Sequence, residues 1–384
     1  MFAHIITVNS KFFHSYQPIF LITRMIGLNP LVYQKTSKSY NLKWSWSFYI
    51  CGCVVVTFFI IFAFYGLWVF LNENRQSCTS NYFAIYDFCE LEMFGFYFVL
   101  SQAFCFKMTL SVLEGFDRID SVIPPVNPKS DRKCTLVFGT VVTCAFLFGM
   151  GFDRFTDNKD LDKVPLKEYP FYPFYVIMFG FQMSYWQLVF FVERRMKLLN
   201  RMLERCVQKS GDDDEVVFKV IKAHGHIHDV CDRINSLFNV KVSLVILSCF
   251  LRLVTDLYML YAAIRKSGNV AYGLMQLLWI SIHLGRLGII LEMCHRCERE
   301  NQVTFNLIFP FFNGTYTGRD QERAQRINCD FSTFFQLKNF ALKLTQKKLR
   351  FSSFAIPRIN RSLLTTIIST ITTFLIIFIQ FSSA

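Results

Sequence analysis

Seven stretches of about twenty largely apolar residues dominate the chain, each long enough to cross the hydrocarbon core of a bilayer as a helix. They lie near Trp46–Phe70, Met93–Leu113, Cys134–Phe152, Phe171–Val192, Ser243–Ile264, Val270–Leu291 and Leu363–Phe381. The first, third, fourth and seventh contain no Asp, Glu, Lys or Arg, and the second holds only Lys107, close enough to its end to snorkel out. Of the 384 residues 53% are hydrophobic and 18% are charged, with 45 Phe, whereas an average soluble domain carries about 25% charge. In water such a chain would expose large apolar patches. A soluble enzyme and a disordered chain are both excluded, and the expected fold is an all-α integral membrane domain of seven helices spanning residues 1–384.

The basic excess has a direction. Net charge is +13, and the N-terminal side of the membrane holds 5 Lys and Arg in residues 1–45, 5 from Lys107 to Lys133, 10 from Arg194 to Lys241 and 12 from Arg296 to Arg361. The opposite side holds only Arg75, Arg154, Lys159, Lys163, Lys167, Arg265 and Lys266, while Arg252 and Arg286 fall within spans. That makes 32 against 7, so the positive-inside rule puts the N-terminus in the cytoplasm. An odd number of spans then puts the C-terminus outside, the reverse of a G-protein-coupled receptor. No Lys/Arg-rich run with interleaved aromatics suggests nucleic acid as a partner. The first forty residues carry no signal-peptide pattern, so insertion is expected to use the first span.

The bulk beyond the membrane is also on the basic side. In residues 193–242, Met196, Leu199, Met202, Leu203 and Cys206 recur at helical spacing. The pattern breaks at Ser210–Asp214 and resumes with Val217, Val220, Ile221, Ile227, Cys231, Ile234 and Phe238. Two amphipathic helices extending spans four and five inward are expected. A further amphipathic stretch, Phe335–Leu344, lies in the last cytoplasmic segment, residues 292–362. These faces must pack together or against another subunit.

The last span ends Thr373-Phe374-Leu375-Ile376-Ile377-Phe378-Ile379-Gln380-Phe381, which resembles the signature of insect gustatory receptors: Thr, an aromatic, five apolar residues, Gln-Phe. Leu349-Arg350-Phe351-Ser352 and Arg361-Ser362-Leu363-Leu364 are similar to that family's lead-in to its last helix. His228–Phe238 is similar to its segment entering span five, and Pro18 with Gly27-Leu28-Asn29-Pro30 to its pre-membrane segment. Two departures stand out. Phe374 replaces the commoner Tyr, and Leu375 stands where sugar-sensing members tend to carry Glu, which favours a bitter-type or other ligand over a sugar. The resemblance implies a homo- or heterotetrameric, ligand-gated, non-selective cation channel in the plasma membrane of sensory dendrites, opened by a small-molecule tastant and lined by the last helix.

The residues of that helix bear on the pore. Thr366, Thr370, Thr373, Ile377 and Gln380 share one face. A hydroxyl stripe ending in an amide suits a hydrated pore, and Phe381 beside it suits a gate that closes by dewetting. Threonines in a membrane helix equally bond their own carbonyls or a neighbouring helix, and on residues alone the two readings balance; the signature favours the pore.

Candidate ligand-pocket residues lie in the outer halves of the spans: Tyr97, Phe146, Tyr175, Gln182, Tyr258, Gln276, Trp279 and His283 combine ring faces with sparse polar groups. Arg252 and Asp256 sit mid-span, four apart and therefore on one face. They read as a structural ion pair before a polar wall of a ligand pocket. His224, His226 and His228, and the Cys294–Cys297 pair, complete no zinc set, and no catalytic motif or cofactor fingerprint occurs. Most of the 13 cysteines fall where thiols stay reduced, while Cys78 and Cys89 share the first outer loop and are candidates for a disulfide. The sequons at Asn313 and Asn360 fall on the cytoplasmic side and should carry no glycan. A secondary transporter is the main alternative, but no half-to-half repeat is evident, and Asp256 is the one acid deep in a span.

The charge asymmetry is tested with epitope tags at both ends in unpermeabilised cells. Staining is expected at the C-terminus alone; an accessible N-terminal tag would overturn the orientation.

Overall fold

The computed structural model describes residues 6–25, 28–36, 39–73, 78–123, 128–157, 172–208, 214–267, 270–313 and 331–383. Nine α-helices are formed among them: α1 (Ser10–Met25), α2 (Trp46–Glu73), α3 (Cys78–Val122), α4 (Pro128–Asp157), α5 (Tyr172–Gln208), α6 (Asp214–Ala262), α7 (Val270–Asn313), α8 (Phe331–Gln346) and α9 (Arg361–Ser383). A π-helical turn, Ala263–Ser267, closes α6. Seven of the helices, all but α1 and α8, are long and apolar enough to cross a membrane, and each contains one of the expected spans.

Four spans run far beyond what a bilayer needs. About 20 residues suffice to cross, yet α3 has 45, α5 has 37, α6 has 49 and α7 has 44. At 1.5 Å per residue α6 is about 70 Å long. The extensions follow the expected pattern, with α5 ending at Gln208 and α6 starting at Asp214, on either side of the Ser210–Asp214 break. Their apolar faces close on each other within a single protomer. Met196, Leu199 and Leu203 of α5 and Val220, Ile227, Cys231 and Ile234 of α6 are all buried, joined by Cys294, Cys297 and Ile308 of α7 and by Phe340, Ala341 and Leu344 of α8. Of the two arrangements open in the sequence, this core is internal.

Close backbone approach permits this packing. A Cβ on Gly115 of α3 would overlap the Val230 side chain of α6, so the two helices can approach only with glycine there. Charged groups enter the core beside groups of opposite charge. Arg195 meets Asp120 in a fork with bonds of 2.8 and 2.7 Å, its guanidinium lying 4.9 Å over the Phe116 ring. Glu193, wholly buried, is held by Lys197 at 2.5 Å and Arg296 at 3.0 Å.

The N-terminal segment adds something the sequence did not announce, a three-stranded antiparallel sheet in the order β1-β3-β2, with β1 at Ile6–Asn9, β2 at Leu31–Lys35 and β3 at Ser39–Trp44. Val8 pairs with Tyr40, and Tyr33 with Leu42. The sheet carries α1 against α3, α4 and α5, with Phe12, Phe13, Tyr16 and Phe20 buried between them.

One expectation is revised, and another gains a second physical reason. Cys78 and Cys89 occupy not a loop but the first turns of α3, eleven residues apart on one continuous helix. That spacing sets their Cα atoms about 16 Å apart, whereas a disulfide needs about 7 Å or less, so the pair is not bridged within this helix; their side chains lie outside the described residues. Asn360 is buried, and its side chain accepts the Ser362 amide at 3.1 Å as the N-cap of α9. A glycan has no access to it on either side of the membrane.

Leu199→Asp should unfold the protomer, costing about 3–5 kcal/mol for a charge in a closed core. Phe335→Asp, on the exposed face of α8, should leave it folded. Thermal melting of the detergent-solubilised protein separates the two.

Candidate ligand pocket and pore helix

Four helices converge on one aromatic and charged cluster within the apolar spans. On α7, Trp279, His283 and Arg286 follow at spacings of four and three and share a face. On α5, Tyr175 and Gln182 lie two turns apart on the face toward α7; α6 contributes Arg252 and Asp256, and α4 contributes Phe146. The Tyr175 and Trp279 rings stack at 5.7 Å, and Trp279 stacks on His283 at 5.8 Å. Phe146 meets Tyr175 at 6.0 Å and Trp279 edge-on at 6.2 Å. The Arg252 guanidinium sits 5.5 Å over the Tyr175 ring, a cation–π arrangement.

The polar side of the cluster is equally specific. His283 Nε2 lies 3.7 Å from Asp256 Oδ2 and its Nδ1 3.3 Å from Arg286 Nη1. Arg286 donates from Nε to Gln182 Oε1 at 2.9 Å. Arg252, Arg286, His283 and Gln182 are all at least nine-tenths buried. Among the described residues, Arg286 Nη2 and Gln182 Nε2 are buried donors without a hydrogen-bond partner. Each such group costs about 1–3 kcal/mol. The cluster therefore has aromatic faces on one side and a surplus of donors on the other.

Six of the expected pocket residues are brought together here: Phe146, Tyr175, Gln182, Asp256, Trp279 and His283. Gln276 is buried one turn further along the same face of α7. Tyr97 is not part of it: it is 37% exposed on α3, with its ring beside Phe98. Tyr258 turns to the last helix, its ring 5.9 Å from Phe378. Sequence reasoning passed over Arg286, although a charge in a span three residues from His283 was the available signal. Asp256 and Arg252 each reach a group beyond the other, Asp256 the imidazole of α7 and Arg252 the ring of α5.

Helix α9 holds to its own bundle by one edge. Ile367 and Ile371 are buried, Phe374 meets Phe250 at 6.0 Å, and its start is clamped to α7 by Arg361 forking onto Glu292 at 2.6 and 2.8 Å. The expected pore face points away: Thr366, Thr373, Ile377 and Gln380 are exposed and Thr370 is half-buried. The Phe381 side chain lies outside the described residues. Each threonine on that face donates its proton to the carbonyl four residues back, Thr366 at 3.3 Å, Thr370 at 2.8 Å and Thr373 at 3.1 Å. The bond of each threonine to its own helix, one of the two readings, is therefore formed. The proton is used within the helix, and the oxygen lone pairs face outward.

Residues 16–384 match the family described as 7tm chemosensory receptor. The chain belongs to this receptor family. A curated relative of the receptor is the Drosophila melanogaster gustatory receptor for sugar taste 43a, 22% identical over 426 residues that cover 94% of this chain and 97% of the relative. Among solved structures, the olfactory receptor OR5 from the insect Machilis hrabei has a TM-score of 0.69 at 14% identity, covering 95% of this chain and 97% of that one. The same protein in complex with eugenol has a TM-score of 0.65 at 14% identity, covering 97% and 100%. The likeness to OR5 shows a shared fold. The receptor is accordingly a multi-pass membrane protein of the insect gustatory and chemosensory class and not an enzyme, and the transporter alternative has no support.

Trp279→Leu removes the central ring of the stack but keeps apolar volume. It should raise the half-maximal concentration of an activating compound by about tenfold, the value of one buried ring contact. Tyr97→Leu, outside the cluster, should leave it unchanged; both are read by calcium imaging at matched surface expression.

Proposed function

We propose that this receptor is a subunit of a tetrameric, ligand-gated, non-selective cation channel, with its N-terminus in the cytoplasm, opened by a small organic tastant held in the Trp279–Arg286 cluster. The observation that carries the pore is the orientation of the α9 hydroxyls. With their protons committed to backbone carbonyls, the threonines offer only lone pairs to whatever lies outside. In lipid those lone pairs gain nothing; around a central axis they line a path that stabilises a hydrated cation. The single-edge attachment of α9 supports the same reading, since 11% of its span is buried inside the protomer. Helix α2 is as open, at 12%, but its face is apolar and suits lipid; the exposed threonine stripe of α9 is better met by symmetric copies.

The cluster supports a ligand with an aromatic or otherwise flat apolar body and at least one oxygen acceptor. Such a molecule buries its ring against Tyr175 and Trp279 and satisfies the free donors of Arg286 and Gln182. OR5 was solved with eugenol, a compound of that kind. Leu375 in place of Glu weighs against a sugar, although the Drosophila relative is named for sugar taste. A tastant panel containing both sugars and oxygenated aromatics decides between them: activation by oxygenated aromatics is expected, and activation by sugars alone would overturn the ligand class.

Gln380→Glu places a ring of carboxylates at the outer mouth of a tetrameric pore. Divalent block should strengthen by about tenfold as opposite charges meet there. Thr373→Val, which removes the outward lone pairs, should lower single-channel conductance. If both variants reach the surface with unchanged block and conductance, α9 does not line the pore.

A further inference from the structure

A cavity with a largely apolar wall and a few polar groups lies on another face of α5 from the tastant cluster. It opens between the segment after α1 and helices α3, α5 and α6, and encloses about 50 Å³. At about 12 Å³ for each water-sized group, that is room for four oxygens. The wall carries the ammonium of Lys241 and the side-chain amides of Asn29 and Gln102, while the hydroxyl protons of Thr109 and Ser184 are committed to the Cys105 and Gly180 carbonyls. Lys241 is 3% exposed, its ammonium 5.8 Å over the Phe181 ring and bonded to the Cys105 thiol. Among the described residues no carboxylate forms an ion pair with it. A buried ammonium facing a cavity, with a thiol and a ring face as its neighbours, is short of negative charge.

The surroundings indicate where that charge comes from. Lys241 immediately precedes the fifth apolar run, on the side of the molecule that carries the 32 basic residues. Alongside it α1 exposes Leu21, Ile22 and Met25, next to exposed Trp46 and Phe48 at the start of α2. The Arg24 guanidinium lies 3.7 Å over the Phe48 ring. Apolar residues and an arginine on one short helix, beside a tryptophan that opens the next helix, are the composition of a segment lying in a headgroup layer.

We propose that the Lys241 cavity is an anion site that takes a phosphate monoester, supplied by the headgroup of an anionic inner-leaflet lipid. The phosphate oxygens accept from the Lys241 ammonium and from the amides of Asn29 and Gln102, a set that joins the segment after α1 to α3 and α6 through one ligand. Charge-assisted bonds of this kind are the strong ones. The site is separate from the tastant cluster and shares no residue with it.

The test uses the full receptor in phosphatidylcholine nanodiscs with and without phosphatidic acid. Native mass spectrometry counts retained phosphatidic acid, and thermal melting is followed in parallel with inorganic phosphate. Wild type should retain phosphatidic acid, and Lys241→Gln should retain about tenfold less, the value of one charge-assisted hydrogen bond. Should Lys241→Gln fail to fold, Thr109→Leu fills the cavity from another helix without touching the lysine and should give the same loss. Displacement of the lipid by inorganic phosphate places the headgroup in the cavity. Stabilisation by phosphate with no retained lipid keeps the anion site but overturns the lipid as its source. A wild-type receptor that binds neither, or variants that retain phosphatidic acid unchanged, overturns the site.

Discussion

Inside a bilayer a backbone amide or carbonyl has no water to bond, so a crossing segment must satisfy itself as a helix. Nothing at the headgroup layer obliges that helix to stop. In this receptor α5, α6 and α7 run on unbroken from the apolar half of the molecule into the charged half. The same continuous helices therefore carry both the aromatic cluster near one end and the closed core around Leu199, Ile227 and Cys297 at the other. Helix α5 is the pivot, with 83% of its span buried against its neighbours. Its sequence changes character where the solvent changes, from Tyr175, Trp186 and Phe190 to the Glu193, Arg194 and Arg195 run. Every charge of that run has a partner, Glu193 with Lys197 and Arg296, Arg194 with Asp131, Arg195 with Asp120. Removing one partner of such a buried pair costs more than the pair contributes, because the other charge is left behind.

Helix α6 is the shared wall between the ligand cluster and the last helix. Arg252 and Asp256 reach toward α5 and α7, while Phe250 and Tyr258, on the other side of the same two turns, meet Phe374 and Phe378 of α9. A movement of α6 that tightens one set of contacts must loosen or rotate the other, since a close-packed interface has few intermediate arrangements. The base of α9 has less freedom. Arg361 is forked onto Glu292 and Arg358 onto Glu298, and Ser353 bonds Ser243 at 2.8 Å. The clamped base and open tip of α9 restrict any displacement to the end where Gln380 lies.

The parts legible in sequence were those fixed by long, one-dimensional patterns. Seven apolar runs, the break at Ser210–Asp214 and the faces around Met196 and Ile234 all repeat over many residues, so local exceptions do not mislead. The sheet was missed because its strands are four to six residues long, too short for alternation to stand out. The segment around Cys78 and Cys89 read as a loop because Asn81, Asp87, Glu90 and Glu92 interrupt its apolar residues; the helix forms there regardless, extending α3 beyond the apolar run. The aromatic members of the ligand cluster were visible as residue types in outer half-spans. Which of them meet was not, because that depends on the rotation of each helix about its axis. Tyr97 and Tyr175 look alike in sequence and face opposite ways.

The charged members of the cluster bear on why it exists at all. Two guanidiniums, a carboxylate, an imidazole and an amide deep among spans oppose folding, and leucines of similar volume would pack there at no such cost. A purely structural role would also be met by matched donors and acceptors, as at Arg195 and Asp120, where the fork is complete. Around Arg286 the match is incomplete: Gln182 accepts one bond, and among the described residues the outer guanidinium nitrogen and the Gln182 amide nitrogen have no acceptor. The same chain thus completes one buried arginine and leaves another open, a few turns away on helices of the same bundle. At the proposed ligand site, an incomplete set of donors beside an aromatic stack would lower the stability of the empty protein and raise the gain when an acceptor arrives. For a receptor that must change state on binding, that difference is the free energy available to shift the equilibrium.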